Sequence, residues 1–259
     1  MDNWNLFWYF HRSYFLYFAK FLIILFIGSC TSNSTPDSSL TKNRPWTILT
    51  TNGEMPILEK IWLHRTNHPD KFKKYVNNYS GFELDVNINI KENYFEVYHQ
   101  PDIPSGIDFS TYLSLDSSRK KYFWLDFKNL DLENAKMAIR LLNQFDQVYK
   151  IKNRVLIEST KPDALKIIRK AGYNTVFYLS YPKLNGKLND TVYLQWLVSY
   201  WDDQLLAISA DAKYIPLLNT YLPATKKLTW CTNPLRNSLL AEKKRMILDS
   251  SVLIVLEKR

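Results

Sequence analysis

GFELDVNINI, residues 81–90, sets an apolar row (Phe82, Leu84, Val86, Ile88, Ile90) against a polar one (Glu83, Asp85, Asn87, Asn89). Successive side chains of a strand point to opposite faces, so this alternation reads as β. If one face met water, the polar row would be ordinary surface. If the strand belonged to a closed barrel, the same row would line an interior, and two carboxylates there would be chemistry.

The rest of the chain favours the barrel. Seven more β-like runs lie between Lys60 and the C-terminus, namely KIWLHR (60–65), KKYFWLDFK (120–128), RVLIEST (154–160), NTVFYLSY (174–181), QLLAISAD (204–211), KLTWCTN (227–233) and SSVLIVLE (250–257). Helix-like segments alternate with them at 131–145, 161–173, 190–201 and 233–248. Two carry start signals, Asn233 before Pro234 and Thr160 ahead of Pro162 and Asp163. Strands alternating with helices imply parallel βα units, and eight of them predict an α/β fold with a single (β/α)8 TIM barrel. Residues 92–115 break the pattern: an extended piece, a Pro-rich loop and at most one short helix. An open doubly wound sheet is the alternative, but no Gly-rich phosphate turn follows the first strand.

The barrel body is expected to span 46–259. Residues 1–29 place Arg12 and Lys20 ahead of a short apolar run, Phe21 to Ile27, closed by Gly28 and Ser29, which is the layout of a secretory signal. The run falls short of the roughly 20 residues of a membrane span. Its end, IGSC, resembles the bacterial lipobox, which implies lipidation of Cys30 and a body held at the cell envelope by an N-terminal lipid. Residues 30–45 are rich in Ser, Thr, Asn and Pro and read as a flexible tether. Only Cys231 remains beyond it, as a buried strand residue without a disulfide partner.

The 259-residue chain carries a net charge of +9, which favours anionic partners such as phosphorylated substrates or lipid headgroups. The surplus is spread out, with no long Lys/Arg run, so nucleic acid is not an expected partner. With only 6 glycines, glycine-rich repeat architectures are excluded.

Active sites of TIM barrels sit at the C-terminal ends of the strands. There the first strand brings His64 and Arg65, the second Glu83 and Asp85, the extended run YFEVYHQPD His99, and the third strand Asp126 and Lys128. The seventh ends in LTWCTN, with Trp230 as a pocket wall or a packing residue. Three carboxylates make an oxygen-rich site suited to Mg²⁺ or Ca²⁺, whereas zinc asks for more His or Cys.

The order HR, ELD after a glycine, a His closing an extended run, LDFK and TWCTN resembles the phospholipase-C-like phosphodiesterase superfamily. Within it the glycerophosphodiester phosphodiesterases and the menorin proteins are most similar. The resemblance implies His64 and His99 as general acid and base, Glu83, Asp85 and Asp126 as ligands of a divalent metal, and Arg65 and Lys128 facing phosphate. Thr66 stands where the resemblance expects glycine, and Asp126 where it more often expects Glu. The expected function is an exported, lipid-anchored, metal-dependent phosphodiesterase acting on glycerophosphodiesters or phospholipid-type phosphodiesters. A non-catalytic barrel serving as an envelope binding lipoprotein is the alternative. Glycoside hydrolysis fits less well, because Glu83 and Asp85 on one strand face point the same way instead of flanking a bond.

Overall fold

The computed structural model of the chain describes residues 46–50, 53–57, 59–100, 102–179, 207–231 and 236–259. The signal, the tether, Cys30, the 190–201 helix and the Asn233–Pro234 start lie outside the described residues.

Eight parallel strands close into a barrel: β3 (Ile61–Leu63), β4 (Gly81–Asn89), β6 (Tyr122–Phe127), β7 (Val155–Ser159), β8 (Asn174–Tyr178), β9 (Ala207–Asp211), β10 (Lys226–Trp230) and β11 (Val252–Glu257). β11 pairs with β3, and β3 with β4 through Leu63 and Phe82, which completes the ring. All eight expected runs are these strands. β5 (Tyr94–Val97) lies antiparallel on the upper half of β4, beyond the point where the short β3 ends. An antiparallel hairpin, β1 (Trp46–Thr50) with β2 (Gly53–Ile57), precedes the barrel and was not expected from the sequence.

The surrounding helices are α1 (Pro69–Tyr75), α2 (Phe109–Leu115), α3 (Ala135–Tyr149), α4 (Pro162–Lys170), α5 (Ile215–Tyr221) and α6 (Arg236–Leu248). α3 turns Ala135, Ala138, Leu141 and Leu142 inward, at the i, i+3, i+4 spacing that puts them on one face. α4 starts at Pro162 with Lys161 at the N-cap and no side-chain cap bond, so Thr160 does not cap it as expected. Proline at the first position needs no amide partner there, which suffices to start the helix. His68 caps α1 instead, accepting the Asp70 N–H.

Two apolar layers result. Outward-facing strand residues such as Phe82, Phe123 and Val155 pack beneath the helices. Inward-facing ones, among them Trp62, Tyr122, Trp124, Leu156, Leu228 and Ile254, fill the lower barrel. Both sides of β4 are therefore covered: eight of its nine residues are buried, so its polar row is no water-facing surface. Burial of one large apolar side chain contributes on the order of 2–3 kcal/mol.

Gly81 makes the lower filling possible. A Cβ at this inward position would lie 2.0 Å from Trp62 Cδ2. The bare backbone makes room for the indole, which stacks on Tyr122 with ring centroids 5.9 Å apart. Glu83, Asp85, Asp126 and Glu158 stand above this floor.

Candidate active site

The site begins at the barrel's narrowest closure. Because β3 is only three residues long, the loop after it does part of the pairing. The Arg65 N–H donates to Glu83 Oε2 at 2.5 Å and the Thr66 N–H to the Glu83 carbonyl at 2.8 Å. Arg65 holds φ 50°, a left-handed conformation that costs a non-glycine residue roughly 1–2 kcal/mol. Thr66, the position where glycine was expected, is fully buried and does not carry that strain. Asn67 then grips the second carboxylate: its Nδ2 donates to Asp85 Oδ2 at 2.6 Å, and the Asp85 N–H donates to its Oδ1 at 2.9 Å. One loop thus fixes both members of the Glu-x-Asp pair.

Asp85, Asp126 and Glu158 stand at one register level across β4, β6 and β7. Ligand oxygens of Glu83, Asp85 and Asp126 all lie within 4.8 Å of one another. Burial, reinforced by the charges of Asp85 and Asp126, holds the Glu83 carboxyl well above its ordinary range, and burial also raises Asp126. Lys128 Nζ lies 2.5 Å from Asp85 Oδ1 and also bonds Asp126. Burial opposes its charge, but the two carboxylates outweigh that and raise its pKa. A buried, oxygen-only triad that already draws a cation to itself has the chemistry of a hard divalent-metal site, so the residues fit Mg²⁺ or Ca²⁺.

The histidines flank this triad. His64 Nε2 is 3.8 Å from Glu83 Oε2. Burial, followed by the Arg65 charge, lowers its pKa to about 4, so its imidazole is neutral at neutral pH. His99 lies just past β5, 3.0 Å through Nε2 from Arg65 Nη2. A guanidinium only donates, so this contact engages the His99 Nε2 lone pair. The His99 segment is held by the upper polar row of β4: Asn87 Nδ2 donates to the Tyr98 carbonyl at 2.9 Å and Asn87 Oδ1 accepts from Gln100 Nε2 at 3.1 Å. The polar row of GFELDVNINI therefore divides its labour. Glu83 and Asp85 face the site, while Asn87 positions the strand extension that delivers a histidine to it.

These groups share one cleft of about 160 Å³, and every site residue singled out in the barrel sequence lines it: His64, Arg65, Glu83, Asp85, His99, Asp126, Lys128 and Trp230. Trp230 is a wall residue, its ring 5.3 Å from that of Tyr178. Cys231 lies just past the end of β10 and is half-buried, outside the strand where it was expected, because pairing stops at Trp230. Sequence reasoning missed Glu158 and Tyr178, which line the cleft. It also missed Asn67 and Ser209, which hold Asp85 and Glu158 respectively. A signal for Glu158 existed: it ends the inward row of RVLIEST as Asp126 ends that of YFWLDF.

No protein-family model and no curated protein sequence matches the chain. Solved structures do. A glycerophosphodiester phosphodiesterase from Parabacteroides distasonis is similar with a TM-score of 0.56 at 16% identity, over 76% of this chain and 91% of that one. One from Thermotoga maritima gives 0.51 at 14% identity, over 76% and 93%. A phosphodiesterase from Oleispira antarctica, in complex with the product sn-glycerol-3-phosphate, gives 0.54 at 10% identity, over 76% and 92%. The barrel, with β3 as its first strand and β11 as its last, is thus the fold of solved glycerophosphodiester phosphodiesterases.

Proposed function

We propose that the chain is a metal-assisted phosphodiesterase that splits glycerophosphodiesters or related phospholipid-type diesters into a phosphomonoester and an alcohol. The observation that carries this reading is the convergence of two histidines, three metal-competent carboxylates and two cations in one cleft at the C-terminal end of the barrel. The likeness to structures of phosphodiesterases, one holding sn-glycerol-3-phosphate, supports the choice of substrate.

A phosphodiester is an anion that resists nucleophiles, so its cleavage needs charge neutralised and protons moved. Arg65 and Lys128 supply positive charge for the phosphate oxygens. Oxygen from water adds to phosphorus while the bond to the departing alcohol oxygen breaks. One imidazole takes the proton of the water and the other gives a proton to the leaving oxygen. His64, kept neutral by burial, is fitted to accept. His99, tied to Arg65, is fitted to follow the phosphate. Mg²⁺ or Ca²⁺ held by Glu83, Asp85 and Asp126 would supply Lewis-acid stabilisation of the phosphoryl charge. The lipobox-like IGSC supports export and anchoring through Cys30 at the bacterial envelope.

The test is turnover of glycerophosphodiesters and of bis(p-nitrophenyl) phosphate by the full chain in detergent, with Mg²⁺, Ca²⁺ or chelator. Metal-dependent turnover that falls by about 10²- to 10⁴-fold in His64→Ala and His99→Ala is expected. Unchanged turnover in both variants would refute the mechanism. A second reading, a binding lipoprotein without catalysis, draws on Lys128, whose ammonium bonds two of the three prospective ligands. Tight phosphate-ester binding without turnover would favour it.

A further inference from the structure

The chain leaves β3 through a strained turn at His64 and Arg65, in which Arg65 holds φ 50°. The donors of this turn are taken by β4, the Arg65 N–H by Glu83 Oε2 at 2.5 Å and the Thr66 N–H by the Glu83 carbonyl at 2.8 Å. Its acceptors are taken by α1. Lys71 Nζ donates to the His64 carbonyl at 2.8 Å and to the Arg65 carbonyl at 3.2 Å. Two neighbouring carbonyl oxygens thus converge on one ammonium, and without that charge between them their dipoles would repel. Lys71 is half-buried, whereas Lys73 and Lys74 on the same helix are exposed. Burial lowers its pKa, and the Glu83 charge works against that.

A left-handed residue other than glycine persists only where its surroundings hold it. Relaxation of Arg65 would rotate the peptide units on either side of it. Its guanidinium would then leave His99 Nε2, now 3.0 Å away, and with it the cleft. Hydrogen bonds from a charged donor are the stronger class, and Lys71 makes two of them to the peptides that must stay in place. Lys71 itself is not among the residues that line the cleft. We propose that Lys71 is the positioning residue of this turn, holding Arg65 where its guanidinium meets an anionic phosphate group without touching that group itself. The anion rests on the phosphodiesterase reading, whereas the hold on the turn can be measured without any ligand.

The experiment uses the full chain in detergent and reads two quantities. The first is amide hydrogen exchange at Arg65 and Thr66, with the Phe123 amide of β6, which donates to the Arg154 carbonyl, as internal reference. Lys71→Met keeps the apolar stem and removes the charge, and should speed exchange at Arg65 and Thr66 about tenfold or more while leaving Phe123 unchanged. Lys71→Arg, which still offers two N–H groups to two carbonyls, should retain most of the protection, and Lys73→Met all of it. The second quantity is calorimetric binding of sn-glycerol 3-phosphate. Lys71→Met should weaken it about tenfold, and in an Arg65→Met background should cost nothing further. Unchanged exchange at Arg65 and Thr66, or a rise shared equally by Phe123, would overturn the proposal. So would a full additive loss of affinity in the double variant, which would put Lys71 on the phosphate itself. Local exchange gained in Lys71→Met with no binding of the ester by wild type keeps the hold on the turn and removes the phosphodiesterase reading.

Discussion

Lys128 sets its ammonium 2.5 Å from Asp85 Oδ1, inside the triad that would hold a cation. The lysine therefore does in the metal-free protein part of what a metal would do. In Lys128→Ala the buried Asp85 and Asp126 lose the ammonium that bonds them both, and unpaired buried charge is costly. The variant should melt at lower temperature than wild type in chelator, and Mg²⁺ or Ca²⁺ should raise its melting temperature by more than it raises that of wild type. Scanning calorimetry with and without metal checks this; equal metal-induced shifts would contradict it.

Asn67 never reaches the cleft yet fixes Asp85 through two hydrogen bonds. Groups that orient a metal ligand commonly matter about 10- to 100-fold for affinity. Asn67→Ala is expected to weaken Mg²⁺ or Ca²⁺ binding about tenfold in a calorimetric titration, with the circular dichroism spectrum unchanged.

His64 has a pKa lowered to about 4 by burial and by Arg65. The unfolded chain, with histidine near 6.5, binds the proton more readily between these two values. The stability this group contributes is therefore fully present above pH 6.5 and lost as pH falls toward 4. The buried carboxyl groups of Glu83, Asp126 and Glu158, shifted upward, act in the opposite sense. The difference between wild type and His64→Gln isolates the histidine. In chelator, the variant should lose less melting temperature between about pH 6.5 and 4.5 than wild type does.

Gly81→Ala would place a methyl group against the Trp62 indole at 2.0 Å. Overpacking of this kind costs roughly 1–3 kcal/mol and occasionally more, and with a buried ring unable to retreat the upper end is expected. Urea unfolding measures it, and adding Trp62→Leu should return part of the loss. Full additivity of the two substitutions would show that the clash is not the cause.

Much of this was legible in the sequence, for a physical reason. Period-two alternation and the strand–helix rhythm are local properties, so the eight barrel strands could be counted from runs such as YFWLDF and VLIVLE. Strand ends are equally local, which is why His64, Glu83, Asp85, Asp126 and Lys128 could be proposed together. What escaped depends on partners far along the chain. Glu158 becomes part of the site only through its register with Asp126 and the hydroxyl of Ser209, 51 residues away. Asn67 looks like a loop residue until Asp85 is placed beside it. Asn87 read as one more member of a polar row, and only the antiparallel return of β5 shows what it holds.

The indole of Trp62 lying over Gly81 has one more consequence. Together with Tyr122 it floors the barrel with aromatic rings below the carboxylates, which are thereby screened from water on that side.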